Sequence, residues 1–148
     1  MVASKHFLAF ARDIGRLTRH LHVSTRPGAK IVDTARIGPF GAMVLMTIQD
    51  FEPLQIQHLA KHLGRDKAQM TRAVQMLEKH ELILRSDTTE DGRISLVSLS
   101  DKGHNLASAF QKLLAEQLLE LFASIDEEEQ RQFSDTLRKV LVGRENTP

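Results

Sequence analysis

The sequence predicts a mainly helical fold with one small β element: two short helices and a β-hairpin in mid-chain, with long helices on either side. Three observations carry this. Apolar residues recur at helical spacing near both ends, at Phe7, Phe10, Ile14, Leu17 and Leu21 and again at Leu106, Phe110, Leu113, Leu114, Leu118, Leu121 and Phe122. Gly64 and Asp66 stop one short amphipathic segment and start the next almost at once. Two runs rich in branched residues, 82–86 and 93–99, enclose a polar loop that ends in Asp91-Gly92, a hairpin signal.

Taken in order, the first helix is expected over about residues 4–24, its seam at three- and four-residue spacing suited to packing along another helix. Residues 25–38 hold Pro27, Gly28 and Gly38 with little periodicity and read as a loop or linker. A second helix follows Pro39, with Met43, Leu45, Met46 and Ile48 as its apolar content, and stops near residues 50–53. Leu54, Ile56, Leu59, Ala60 and Leu63 give a short third helix, which Gly64 is placed to end in a left-handed cap. Asp66 then caps a fourth helix over residues 67–80, with Gln69 completing a capping-box pattern. On this helix Met70, Ala73, Val74 and Leu77 share one face, while Ala68, Arg72, Gln75 and Lys79 share the opposite one, flanked by Gln69, Thr71 and Met76. After the hairpin, Ser100 caps a long helix, and Asp126 with Glu129 starts the last one, whose inner face is Phe133, Leu137, Val140 and Leu141. Residues 145–148 read as a frayed tail.

Composition narrows the function classes. A chain of 148 residues with 41% hydrophobic content can bury a core as one domain. Charges interrupt every apolar stretch, so no membrane span is expected, and the first residues lack the pattern of a secretory signal; a cytoplasmic protein is expected. The absence of cysteine removes disulfides, thiol nucleophiles and thiolate metal sites. The net charge of +1 hides an uneven distribution: +5 over residues 1–30, −1 over 31–99 and −3 over 100–148. Within the middle part, Lys61, Arg65, Lys67, Arg72 and Lys79 face only Asp66 and Glu78, a local basic cluster of the kind polyanion binding needs.

Two short helices, the second with a polar outer face, followed directly by a hairpin, give the order of a winged helix-turn-helix. Such a helix fits the major groove of double-stranded DNA, its first-turn amides can meet phosphate, and Arg, Gln and Thr can bond base edges. Arg93, beside Asp91 and Gly92 at the edge of the hairpin loop, could enter the minor groove with Asp91 orienting its guanidinium. Lys67 and Arg65 suit phosphate contacts, which position a protein without specifying sequence. Gln69 has two roles open to it, reading a base or folding back as the capping partner.

At these residues the sequence resembles the multiple-antibiotic-resistance regulator (MarR) family. The resemblance rests on Leu59-Ala60-Lys61-His62-Leu63-Gly64, on Met70-Thr71-Arg72 with Leu77-Glu78-Lys79, on Leu82-Ile83-Leu84-Arg85, and on Asp91-Gly92-Arg93 running to Leu99-Ser100-Asp101-Lys102-Gly103. It implies a transcriptional regulator, expected as a repressor: a homodimer held by its first and last helices, binding a palindromic operator and often carrying an effector pocket between the dimer and winged parts. The expected base contacts are Gln69, Thr71, Arg72, Gln75 and Arg93. Phosphate or supporting contacts fall to Arg65, Lys67, Lys79, Arg85, Asp91 and Gly92. Two positions depart from the family pattern: Glu81 stands where glycine is usual, which puts the helix-ending turn in doubt, and Ser100 replaces the commoner threonine. The chain divides into a winged part, 38–99, and a helical dimerisation part, 1–24 and 100–143, within a single domain 1–148.

Other readings compete. Arg72, Gln75 and Lys79 would also suit a solvated helix face, and a winged helix can dock an acidic protein without reading bases. Ile14, Met43, Met46 and Phe110 could line a pocket for a small apolar or aromatic effector, or be plain core. His58 and His62 have zinc-compatible spacing but no carboxylate nearby in sequence, so surface histidines are expected. With no glycine-rich phosphate loop and no catalytic constellation, neither an enzyme nor a cofactor is expected. The long terminal helices carry more apolar stripe than one small winged domain can cover, which independently points to dimerisation.

Overall fold

The computed structural model describes residues 4–24, 31, 33–87 and 95–145. Its elements run α1 (Lys5–Ser24), α2 (Gly38–Phe51), β1 (Leu54–Gln55), α3 (Ile56–Leu63), α4 (Lys67–Lys79), β2 (Ile83–Asp87), β3 (Ser95–Leu99), α5 (Asp101–Leu121) and α6 (Glu127–Glu145). The mainly α fold with a β wing is therefore present, with two differences from the sequence reading. Leu54 and Gln55 start no helix; they pair antiparallel with Val97 and Leu96, giving a three-stranded sheet in the order β1-β3-β2. The pairing buries Leu54, and its partner lies 43 residues downstream, beyond the reach of local periodicity. In the expected loop 25–38, residues 31 and 33–35 are helical, a piece too short to show an apolar period.

Local signals set most boundaries. Pro39 occupies the first turn of α2, where its missing amide proton costs nothing. Gly64 ends α3 at φ 59° and ψ 38°. Its amide donates to Lys61 O at 3.2 Å and that of Arg65 to Ala60 O at 3.0 Å, the paired bonds of a Schellman turn. Asp66 Oδ1 accepts from the Gln69 amide at 2.8 Å and so caps α4. At α6 the box is reciprocal: the Glu129 amide donates to Asp126 Oδ1 at 2.8 Å, and the Asp126 amide to Glu129 Oε2 at 3.0 Å.

The core lies inside the winged part. Val44, Leu45 and Ile48 of α2, Leu59 of α3, Met70, Val74 and Leu77 of α4, and Val97 of β3 are fully buried together. Burying each of these side chains stabilises the fold by roughly 1.5–3 kcal/mol relative to exposure. Polar bonds join this core to α5. Ser100 Oγ donates to Glu81 O at 2.6 Å and accepts from the Gly103 amide at 3.0 Å, while the Ser100 amide donates to Leu82 O at 3.0 Å. The Glu52 carboxylate accepts from the Leu99 amide and pairs with His104 Nε2 at 3.1 Å, tying the end of α2 to β3 and α5. Gly103 is required here by close approach: a Cβ would stand 2.0 Å from the Leu82 carbonyl oxygen. Glu81 adopts φ 61°, so the left-handed turn after α4 forms despite the missing glycine.

The terminal helices differ. Phe7 and Phe10 of α1 are 58% and 52% exposed, and Val140 and Leu141 of α6 are 61% and 59% exposed. Phe122 and Phe133 pack on each other, their ring centroids 5.5 Å apart.

Candidate nucleic-acid interface

The helix α4 separates its residues by face as its sequence dictates. Met70, Ala73, Val74 and Leu77 are buried against α2 and α3, which turns Ala68, Gln69, Arg72, Gln75 and Lys79 outward, all exposed. Thr71 is half-buried, and its hydroxyl donates to Lys67 O at 2.8 Å; what it can still offer a partner is an acceptor lone pair and a methyl group. Lys67 is exposed in the first turn of α4, and Arg65 is exposed one residue before the cap. Among the described residues, Arg65, Lys67, Arg72 and Lys79 take part in no ion pair, so unpaired positive charge extends from just before the cap of α4 to its last turn. The amides of that first turn add to the same field, offset in part by the Asp66 carboxylate that caps them.

Arg85 is placed differently. Its Nε donates to Glu78 Oε2 at 3.1 Å, so it braces β2 against the last turns of α4 and neutralises the one carboxylate on that stretch. Among the described residues no hydrogen bond joins the Gln69 side chain to the Asp66 amide; the cap is made by Asp66 alone. Asp91, Gly92 and Arg93 lie outside the described residues.

Sequence reasoning missed a neighbour of Arg65. The Arg65 guanidinium carbon stands 5.7 Å from the centroid of the Phe40 ring, at the N-terminal end of α2. With Gln69, Arg72 and Met76 these two residues line a groove of about 540 Å³ between α2 and α4. Phe40 carries no signal in the sequence, because the cation it meets is 25 residues away.

The apolar quartet suggested for an effector or for plain core lines none of the three cavities described among these residues. Met46 and Phe110 pack against the buried core, whereas Ile14 and Met43 are 39% and 40% exposed. Ile14 belongs to the uncovered seam of α1, which helical periodicity does not distinguish from an inward-facing one. A cavity of about 800 Å³ is lined instead by Ala35, Leu82, Leu106 and Leu113, with Arg36 and Lys102 as its cations. His58 and His62 share a small hollow with Phe51, and the His62 ring stacks on Phe51 at 4.2 Å. Among the described residues no group of three potential metal ligands occurs, and no helix is long and apolar enough to cross a membrane.

Comparison with known proteins agrees with this arrangement. YxaD of Bacillus subtilis (strain 168), an uncharacterized HTH-type transcriptional regulator, is 26% identical over 98 residues, covering 66% of this chain and 68% of its own length. YdgJ of the same bacterium, also an uncharacterized HTH-type transcriptional regulator, is 32% identical over 82 residues, 55% of this chain and 50% of its own. The chain thus spans between half and about two thirds of these relatives. A crystal structure of a MepR point mutant from a multidrug resistant S. aureus clinical isolate superposes with a TM-score of 0.75 at 23% identity, covering 97% and 99% of the two chains. Another MepR mutant, bound to an oligodeoxyribonucleotide, superposes with a TM-score of 0.62 at 22% identity over 90% and 96%. At such identities the structural likeness is one of fold. Residues 42–95 match the MarR family model, so the winged segment of this chain is similar to that family.

Proposed function

We infer that this chain is a homodimeric, sequence-specific DNA-binding regulator acting in the cytoplasm, a repressor of a palindromic operator. The observation that carries this reading is α4 itself: one face sealed into the core, the other presenting Gln69, Arg72 and Gln75 beside three further unpaired cations, Arg65, Lys67 and Lys79. In this reading Gln69, Thr71, Arg72 and Gln75 contact base edges, and Lys67, Arg65 and Lys79 hold phosphates. Arg93, oriented by Asp91 next to Gly92, reaches the adjacent minor groove, and Arg85 supports α4 through Glu78. The neighbour bound to an oligodeoxyribonucleotide supports the choice of DNA over an acidic protein.

The uncovered apolar faces of α1 and α6 support the division into a winged part, 38–99, and a dimerisation part, 1–24 and 100–143. Two copies would set two α4 helices for half-sites roughly 34–36 Å apart. The cavity that Ile31, Ala35 and Arg36 line with α5 is where a small apolar or aromatic effector would act, since it joins the winged core to α5.

Selection of bound sequences from a random double-stranded DNA pool tests the reading. A palindromic consensus with two half-sites about one helical turn apart is expected; recovery of no consensus, together with capture of an acidic protein by the same face, would replace it with the protein-docking reading.

A further inference from the structure

We propose that Phe40 is a positioning residue for nucleic-acid contact, holding the Arg65 guanidinium in place beside the start of α4; the proposal rests on the DNA-binding reading above. Three features converge on Arg65. Its backbone is fixed by the Schellman turn, through the bond from its own amide to Ala60 O at 3.0 Å. Its sequence neighbour Asp66 is fixed in turn by capping α4. Its side chain is held over the Phe40 ring at 5.7 Å, inside the distance at which a guanidinium gains from the ring quadrupole.

Phe40 is itself anchored, half-buried and packed against the core cluster, so the ring is a fixed platform. The consequence is thermodynamic. A free arginine loses much rotamer freedom when it grips a phosphate, and a side chain already held loses less on binding. The groove around the pair suits an anion: Arg65, Arg72 and Gln69 line it together with apolar Phe40 and Met76, and no carboxylate is among the residues that form it. The N-terminus of α2 opens on the same groove without a side-chain cap and without an acidic residue in its first turn. Phe40 thus acts on the DNA backbone through Arg65 without touching it.

The test is a double-mutant cycle on the full chain with Phe40→Leu and Arg65→Ala, plus Phe40→Tyr, which keeps the ring. Binding to the selected duplex is read as Kd across a salt series, and the Arg65 Nε–H resonance is followed in the free protein. Phe40→Leu should abolish the ring-current shift of that resonance and weaken binding about threefold. It should do nothing further in the Arg65→Ala background, and Phe40→Tyr should restore both readouts. Equal weakening by Phe40→Leu with and without Arg65, or an Arg65 resonance indifferent to the ring, overturns the proposal and leaves Phe40 as packing. A wild-type chain that binds no selected duplex overturns the DNA-binding reading itself, a failure distinct from an additive cycle on a chain that binds.

Discussion

Glu81→Gly should stabilise the fold. Glu81 sits at φ 61°, where an L side chain crowds the following carbonyl at a cost of roughly 1–2 kcal/mol that glycine escapes. Against this, glycine is freer in the unfolded chain by up to about 1 kcal/mol, and the substitution removes the Glu81–Lys102 pair. That pair is 3.4 Å long, with side chains 84% and 61% exposed, so screening leaves it a few tenths of a kcal/mol at most. Lys102 keeps its bond to His80 O at 2.9 Å, and Ser100 keeps its bond to the residue-81 carbonyl, because neither uses the Glu81 side chain. The net gain is about 0.5 kcal/mol, a rise in Tm of about 1–2 °C. Glu81→Ala is the control: it loses the same pair but keeps the strain, so it should fall about 1 kcal/mol below Glu81→Gly. Urea denaturation at one fixed protein concentration measures both, the fixed concentration removing any contribution from association. If the alanine and glycine variants were equally stable, the left-handed conformation would not be the origin of the effect.

Gly103→Ala should destabilise by about 3 kcal/mol or more, because its methyl meets a backbone oxygen that already accepts the Ser100 amide and cannot move aside; chemical denaturation reads the loss. Gly41→Ala is the contrast, expected to cost less than half as much, since the atom nearest its methyl is the Cε of a flexible Met76. Arg72→Ala should weaken operator binding by on the order of 1–3 kcal/mol and relax base preference, whereas Lys67→Ala should weaken all sequences alike and lower the salt slope by about one; titrations against matched and mutated duplexes separate the two. Val140→Asp, on the exposed apolar face of α6, should shift the chain toward monomer by analytical ultracentrifugation while its far-ultraviolet dichroism stays unchanged, given that Val140 is 61% exposed within one chain.

The features legible in the sequence are those whose causes lie within a few residues of one another. The Asp66 cap, the Gly64 turn, the two faces of α4 and the reciprocal box at Asp126 are of this kind, and each stands where spacing puts it. What escaped is non-local. The strand β1 exists because Leu54 meets Val97, and nothing near Leu54 announces that partner. The choice left open for Ile14, Met43, Met46 and Phe110, pocket or plain core, is non-local as well: all four are apolar, but only packing decides which faces a neighbour in the same chain.

Arg65 joins the two cases, which is why its role sharpens with the structure. Its place before a helix cap is local and readable, and on the DNA-binding reading that place suits a phosphate contact. Whether that cation waves in solvent or is held ready depends on Phe40, which only the packing of α2 against α4 brings within reach. An arginine held in this way should contribute more to affinity than its charge alone. Lys79, in the last turn of α4, offers the comparison: it is equally unpaired, but no ring contact holds it among the described residues. Lys79→Ala and Arg65→Ala should therefore lower the salt slope alike, each by about one, while Arg65→Ala loses more affinity when both are extrapolated to high salt, where the screened part vanishes and the held part remains. Equal losses at that limit would mean that the ring adds nothing to the charge.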